Sequence, residues 1–303
     1  MKKIFLLPAV VLLATAAWAH QPADRLFLAF QWPDNAIPTI DGNLEEWDII
    51  PEVYAVSLER DMHESLYDNP VDKSDFDIRG WIAYNPNSDQ LIMASRVFDD
   101  FHERDNTDPG QCACIDDGYE MVVDGDHGGD PYRAPVPDGA SSEETERATN
   151  SIMQWWSMAV PPVGGRTVQS GNTGQWQHLP PHFDLQWTFE GEEFGESTYY
   201  YEMAFTPFDD MDKNGPDTST RTDLVEGNII GVNAIWQDWD GAKSDFPLNE
   251  DGSTTYDGYW ITGGPCCNGD NASDWLLAPV EDLTFTPTSV ETETWGRLKA
   301  RFQ

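Results

Sequence analysis

The sequence predicts an all-β chain, an antiparallel β-sandwich of jelly-roll type with long acidic and Gly/Pro-rich loops, and three observations carry that prediction. Short runs of β-branched and aromatic residues alternate with clusters of turn formers. No long segment keeps a 3.6-residue apolar period between caps, so helices have little support. The 303 residues include 13 Trp, 10 Tyr and 14 Phe, an aromatic content that fits a substantial core and not a disordered acidic chain.

In chain order, residues 1–19 read as a secretory signal. Lys2 and Lys3 form the charged start, Ile4 to Ala16 the apolar run, and Ala17-Trp18-Ala19 the small-residue cleavage site. The expected destination is secreted or periplasmic. No later stretch approaches the roughly 18 consecutive apolar residues of a membrane span, so no membrane insertion is expected after cleavage. Residues 20–303 are read as one domain, since all-β units commonly reach this size. Phe76–Tyr84 and Leu91–Phe98, separated by Asn85-Pro86-Asn87-Ser88-Asp89, predict a hairpin, and further strands are expected at Tyr119–Val123, Ile152–Val160, Phe183–Phe189, Thr198–Phe205 and Ile229–Trp236. Asp130–Gly139, Pro161–Gly174 and Asp240–Gly258 are the long loops, the usual place for binding surfaces.

Charge excludes two classes of partner. With 17 basic and 54 acidic residues the formal net charge is −37, and loss of Lys2 and Lys3 takes it to −39. Nucleic acid and anionic membrane surfaces are repelled by such a field. The four cysteines form two close pairs, Cys112 with Cys114 and Cys266 with Cys267. In an oxidising compartment two disulfides joining one pair to the other are expected, with the connectivity left open.

Two constellations could carry chemistry. Asp99-Asp100, Asp116-Asp117, Asp124-Gly125-Asp126 and Asp130 flank predicted strands, and carboxylates gathered from strand ends supply the oxygen donors that Ca²⁺ takes. They serve equally as turn-capping groups. The second constellation is aromatic: Trp155, Trp156, Trp176, Trp187, Trp236 and Trp239 lie in or beside loops. Flat rings with polar partners bind the apolar faces and hydroxyl rims of sugars, although a Trp in a sandwich more often fills the core. Alternation puts Asn233, Ile235 and Gln237 on one strand face and Ala234, Trp236 and Asp238 on the other. Trp239, between Asp238 and Asp240 at the strand exit, is expected to be more exposed than Trp236.

Catalytic signals are weak. Neither Gly-x-Ser-x-Gly nor His-Glu-x-x-His nor a phosphate loop occurs, and 54 acidic residues supply chance carboxylate pairs without a glycosidase motif. Cleavage after Ala19 would leave His20 first, where its imidazole and the free amine could hold copper with His63, His102, His127, His178 or His182. The simpler reading is an accident of the cleavage site.

Four phrases stand in fixed order: Ile40-Asp41-Gly42 with Glu45-Glu46-Trp47; Asp117-Gly118-Tyr119-Glu120 running into Asp124-Gly125-Asp126; Tyr201-Glu202-Met203-Ala204-Phe205-Thr206-Pro207; and Gly231-Val232-Asn233 ending in Asp238-Trp239-Asp240. With the closing Trp295-Gly296-Arg297-Leu298, this order resembles the family 9 carbohydrate-binding modules and the sugar-binding sandwiches related to them, from about Ile40 to Phe302. The resemblance implies a non-catalytic domain that binds a saccharide in an aromatic cleft, in support of polysaccharide or glycan utilisation, with association with other exported proteins left open. It implies structural Ca²⁺, for which Asp117, Glu120, Asp124 and Asp126 are the positions carried over, while Asp41 shapes a turn. The sugar contacts are expected from Trp155, Trp156, Trp176, Trp236 and Trp239 with Asp238 and Asp240. The competing readings are a haem-binding subunit of an exported oxidoreductase, with Met203, Met211, Lys213 or His182 as axial ligands, and a glycan-active hydrolase or copper enzyme.

Overall fold

The computed structural model describes residues 22, 25–66, 69–104, 116–129, 136–142, 144–145, 152–163, 166–170, 175–240, 258–265 and 269–281. The signal segment, His20, all four cysteines, Asp130 and the phrase at 295–298 lie outside them. Fifteen strands are described: β1 (Leu26–Gln31), β2 (Ala55–Ser57), β3 (His63–Glu64), β4 (Phe76–Asn85), β5 (Gln90–Asp99), β6 (Gly118–Asp124), β7 (Gln154–Val163), β8 (Arg166–Ser170), β9 (Phe183–Gly191), β10 (Ser197–Phe205), β11 (Phe208–Asp210), β12 (Thr220–Arg221), β13 (Ile229–Asp238), β14 (Gly258–Ile261) and β15 (Ser273–Leu277). Helical structure is limited to short turns such as α1 (Leu58–Asp61).

The strands form a sandwich by bending one sheet over on itself at β1. One leaf runs β8-β7-β6-β13-β15-β1, with β14 beside β13 and β3 beside β14; the other runs β1-β4-β5-β10-β9, with β2 beside β4. Leu26–Ala29 of β1 pair with Asp274–Leu277 of β15, and its last two residues, Phe30 and Gln31, pair with Ala83 and Tyr84 of β4. Both pairings are parallel, while the other strand pairings described are antiparallel, as the sandwich expected from the sequence requires. A strand shared by two leaves takes its direction from their edges, not from a hairpin. The β4–β5 hairpin forms as predicted. The Asn85 side-chain oxygen accepts from the backbone of Asn87 (3.1 Å) and Ser88 (2.9 Å), which folds the intervening turn.

Strand alternation decides what each face buries. Tyr119, Met121 and Val123 of β6, Val232, Ala234 and Trp236 of β13, Trp156 and Met158 of β7, and Tyr199 to Phe205 at odd positions of β10 point into the space between the leaves and build the main core. The outer face of the β4–β5–β10 leaf is covered by the segment carrying Trp32, Trp47, Ile50 and Tyr54. Glu202, on that outer face, accepts from the backbone N–H of Asp41 (2.9 Å) and Gly42 (3.1 Å) and from Trp47 Nε1 (2.9 Å). Asp41 thus lies in the turn expected of it, at a position where its amide meets Glu202. Gly42 has φ +80°, and a Cβ there would lie 2.6 Å from the Trp187 carbonyl carbon, so only glycine fits.

Candidate functional site

The first locus is the mouth of the sandwich, where three strand ends converge. Asp99 closes β5, Asp117 precedes β6 and Asp238 closes β13, and all three carboxylates are at most 2 % exposed. Ligand atoms of Asp99, His102 and Asp117 lie within 4.8 Å of one another, as do those of Asp99, Asp238 and Asp240 and those of Asp75, Asp100 and Asp240. His102 stacks on Tyr199 at 3.8 Å between centroids. Its Nε2 lies 2.7 Å from the Val160 carbonyl and donates to it, so Nδ1 faces Asp99 Oδ2 (3.4 Å) and Asp117 Oδ2 (3.7 Å). Asp117 also accepts from the backbone N–H of Trp239 (2.6 Å) and Glu103. Burial, then the charges of Asp99 and Asp238, push its carboxyl well above the usual range, against those two amides.

The metal set carried over from the resemblance therefore divides. Asp117 is at the mouth, but Asp124 is seven residues along an extended strand, about 23 Å away. There Asp124 accepts from Gly128 N (3.3 Å) and Gly129 N (2.7 Å) and Asp126 accepts from Gly128 N (3.0 Å), so both fold the turn after β6. Glu120 faces the opposite side of its sheet from Asp117, because one-residue steps alternate. The donors that do stand together form two groups that share Asp99, one with His102 and Asp117 and one with Asp238 and Asp240, of the oxygen-bearing kind hard cations take.

The second locus is the outer face of the β7–β6–β13–β14 leaf. Glu120 is 2 % exposed yet points away from the main core. Its Oε2 accepts from Tyr259 Oη at 2.9 Å, and burial, opposed by Tyr259 and by the neighbouring polar groups of Gln237, Trp155 and Ser157, raises the carboxyl to about 7. Register explains the convergence: Glu120 lies opposite Ile235 on β13 and Ser157 on β7, and Gln237 lies opposite Tyr259. Around this polar centre Val122, Met153, Ile235, Tyr259 and Ile261 form a small apolar cluster with half-buried Trp155 packed on it.

Asn233, on the same face, accepts from Gly263 N (3.0 Å) and donates to Gly264 O (2.8 Å), tying the chain after β14 to β13.

Comparison with known proteins follows the same outline. No family model and no curated sequence matches the chain. Its fold is similar to that of family 9 carbohydrate-binding modules. A family 9 module from Caldicellulosiruptor kristjanssonii solved with cellotriose is 11 % identical over 88 % of this chain and 100 % of its own, with a TM-score of 0.47. The same organism's module with glucose gives 11 %, 87 %, 100 % and 0.46. A carbohydrate-binding protein of Bacteroides uniformis, so described without established function, gives 9 %, 84 %, 99 % and 0.42.

The expected sugar contacts do not form one platform. Trp155 faces outward beside Glu120, but Trp156 is 1 % exposed in the core between Phe183 and Phe205, and Trp236 stacks on Tyr119 at 4.6 Å. Trp239 is also 1 % exposed, which corrects the expectation that it would stand out further than Trp236. Its backbone bond to Asp117 turns the strand exit inward over the mouth. Trp176 lies elsewhere, edge-on to His182 and Phe208, with Nε1 donating to Asp212 O at 3.2 Å. Asp238 and Asp240 belong to the carboxylate cluster at the mouth.

Of the haem candidates, Met203 and Met211 are buried core residues and His182 packs beside Trp176. Among the described residues, the one metal-capable group with a histidine holds His102. Sequence reasoning missed Gln237, Ser157 and Tyr259. The signal available was a polar residue at alternating positions of otherwise apolar strands, as in Asn233-Ala234-Ile235-Trp236-Gln237.

Proposed function

We propose that the chain is an exported, secreted or periplasmic, non-catalytic saccharide-binding protein whose sugar seat is the outer face around Trp155. The observation that carries this reading is Glu120: a carboxylate bonded to Tyr259 and flanked by Gln237, Trp155 and Ser157 on a face that is not the inter-leaf core. Trp155 is the half-buried ring of this face, and the buried carboxylate, amide and hydroxyls beneath it fix its position, the support that an aromatic platform for a sugar face requires. The four ordered phrases resembling family 9 modules support the same reading.

Calcium belongs to this proposal at the mouth of the sandwich. Asp99, Asp238 and Asp240 would hold the ion by carboxylate oxygens, with Asp117 and His102 beside Asp99 at its rim. Such an ion would neutralise buried charges and tie β5 of one leaf to β13 of the other.

A glycan-array screen of the full chain with and without chelator, followed by titration with cellotriose and glucose, tests the function. Binding to a defined sugar set that Trp155→Ala removes while the fold persists is the expected result. No glycan bound in either condition, or binding indifferent to Trp155→Ala, would sink the assignment of the seat.

A further inference from the structure

The outer face of the β4–β5–β10 leaf ends in a row of side chains that crosses five strands. Register places Ser57 of β2 beside Arg79 of β4, Arg79 beside Arg96 of β5, Arg96 beside Tyr200 of β10, and Tyr200 beside Thr188 of β9. Adjacent strands are about 4.8 Å apart, so the row is roughly 19 Å long. Arg79, Arg96 and Thr188 are exposed, and Ser57 and Tyr200 half-buried. Two residues further along the strands, Trp81 and Ala94 lie under the Trp32–Tyr54 cover; the Arg row lies just outside it.

Among 54 acidic and 17 basic residues, two guanidiniums stand directly across from each other on neighbouring strands, an arrangement that lowers stability. Arg79 pairs with Glu52 and lies 5.1 Å from the Trp81 ring centroid. Arg60 pairs with Asp61 (2.9 Å) and Glu52 (3.7 Å), Arg25 pairs with Asp61, and Lys73 pairs with Asp77 (3.4 Å). These four cations share three carboxylates. Arg96 adds a fifth cation and makes no ion pair among the described residues.

We infer that this row is a second ligand surface, one that takes an anionic saccharide. Carboxylate or sulfate groups of the sugar meet the guanidinium forks of Arg96 and Arg79, and its hydroxyls meet Tyr200, Thr188 and Ser57. The planar fork matches either anion with two parallel hydrogen bonds. A linear array of strongly bound points on a flat, rigid sheet suits an extended sugar chain. The overall negative charge does not prevent this, because at about 0.15 M salt fields decay over about 8 Å and the local pair decides. The row lies on the opposite leaf from Trp155, so it stands or falls independently of the sugar seat proposed there.

The test is titration of the full chain, at low and physiological salt, with an oligogalacturonate, a sulfated dextran oligomer, neutral cellotriose and a polyglutamate of similar charge. The expected result is salt-sensitive binding of one or both anionic saccharides, weakened about ten- to hundredfold by Arg96→Gln or Arg79→Gln and unchanged by Trp155→Ala. The oligogalacturonate and dextran arms separate carboxylate from sulfate. Both variants alter exposed side chains, and a melting temperature no lower than the parent's verifies their fold. Failure of both anionic saccharides to bind, or binding indifferent to Arg96→Gln, overturns the inference. Equal, Arg96-dependent capture of polyglutamate overturns its saccharide part.

Discussion

Replacing Glu202 by alanine tests the joint between the first and third phrases. The Glu202 carboxylate accepts three hydrogen bonds, from the amides of Asp41 and Gly42 and the indole of Trp47, and Trp47 is itself 1 % exposed. Each donor orphaned in a buried place costs about 1–3 kcal/mol. The substitution also relieves a desolvated charge: burial raises this carboxyl above its usual range even against its three donors. Setting that relief against three lost bonds leaves a net loss of about 3 kcal/mol for Glu202→Ala. Glu202→Gln keeps one acceptor oxygen and should lose about half as much. Urea unfolding followed by Trp fluorescence reads both as midpoint shifts at constant slope. A loss below about 1 kcal/mol for the alanine variant would show that the Asp41–Trp47 segment is held by apolar contact alone and refute the reasoning.

Three further outcomes are expected. Glu120 has a folded-state pKa of about 7 against an ordinary 4.5, so it contributes stability that is complete below pH 4.5 and lost as pH rises through 7. That amounts to about 3 kcal/mol across the window, and Glu120→Gln should flatten this part of the pH profile of the urea midpoint. Trp156→Ala, in the core, should cost about 3–5 kcal/mol, whereas Trp155→Ala, at a half-buried ring, should cost clearly less and abolish saccharide binding in the same titration. If Ca²⁺ occupies the mouth, a hundredfold excess over its dissociation constant adds about 2.7 kcal/mol; chelation should lower the melting temperature of the parent chain by several degrees and leave Asp238→Asn unmoved.

The sequence made the strands and their alternation legible because side-chain period and turn chemistry are local. The Asn85–Asp89 hairpin, strand β6 and the shared face of Asn233, Ile235 and Gln237 all followed from that. The ordered phrases were legible as landmarks, yet their partners were not. Asp41-Gly42 meets Glu202 and Asp117 meets Trp239 across separations of more than a hundred residues, and no spacing rule encodes such pairs. The same limit hides which acidic residues come together. Asp117, Glu120 and Asp124 are close in sequence, but a strand carries them to different faces and ends, while Asp99 and Asp238 arrive at Asp117 from other strands. Trp239 was misjudged because a backbone hydrogen bond, invisible to alternation, decides where the chain goes after β13.

The placement of β1 has a consequence for assembly order. Its first half needs β15, near the far end of the described chain, and its second half needs β4. A chain that emerges from its N-terminus therefore carries a strand one of whose parallel neighbours has yet to appear, and the leaf of β8, β7, β6 and β13 is not joined to β1 until residues 273–277 arrive. Contacts of such sequence separation make closure slow relative to hairpin formation. Once made, the seam holds both leaves by main-chain bonds, so a cut between β1 and β2 would release not one strand but the hinge between the two layers.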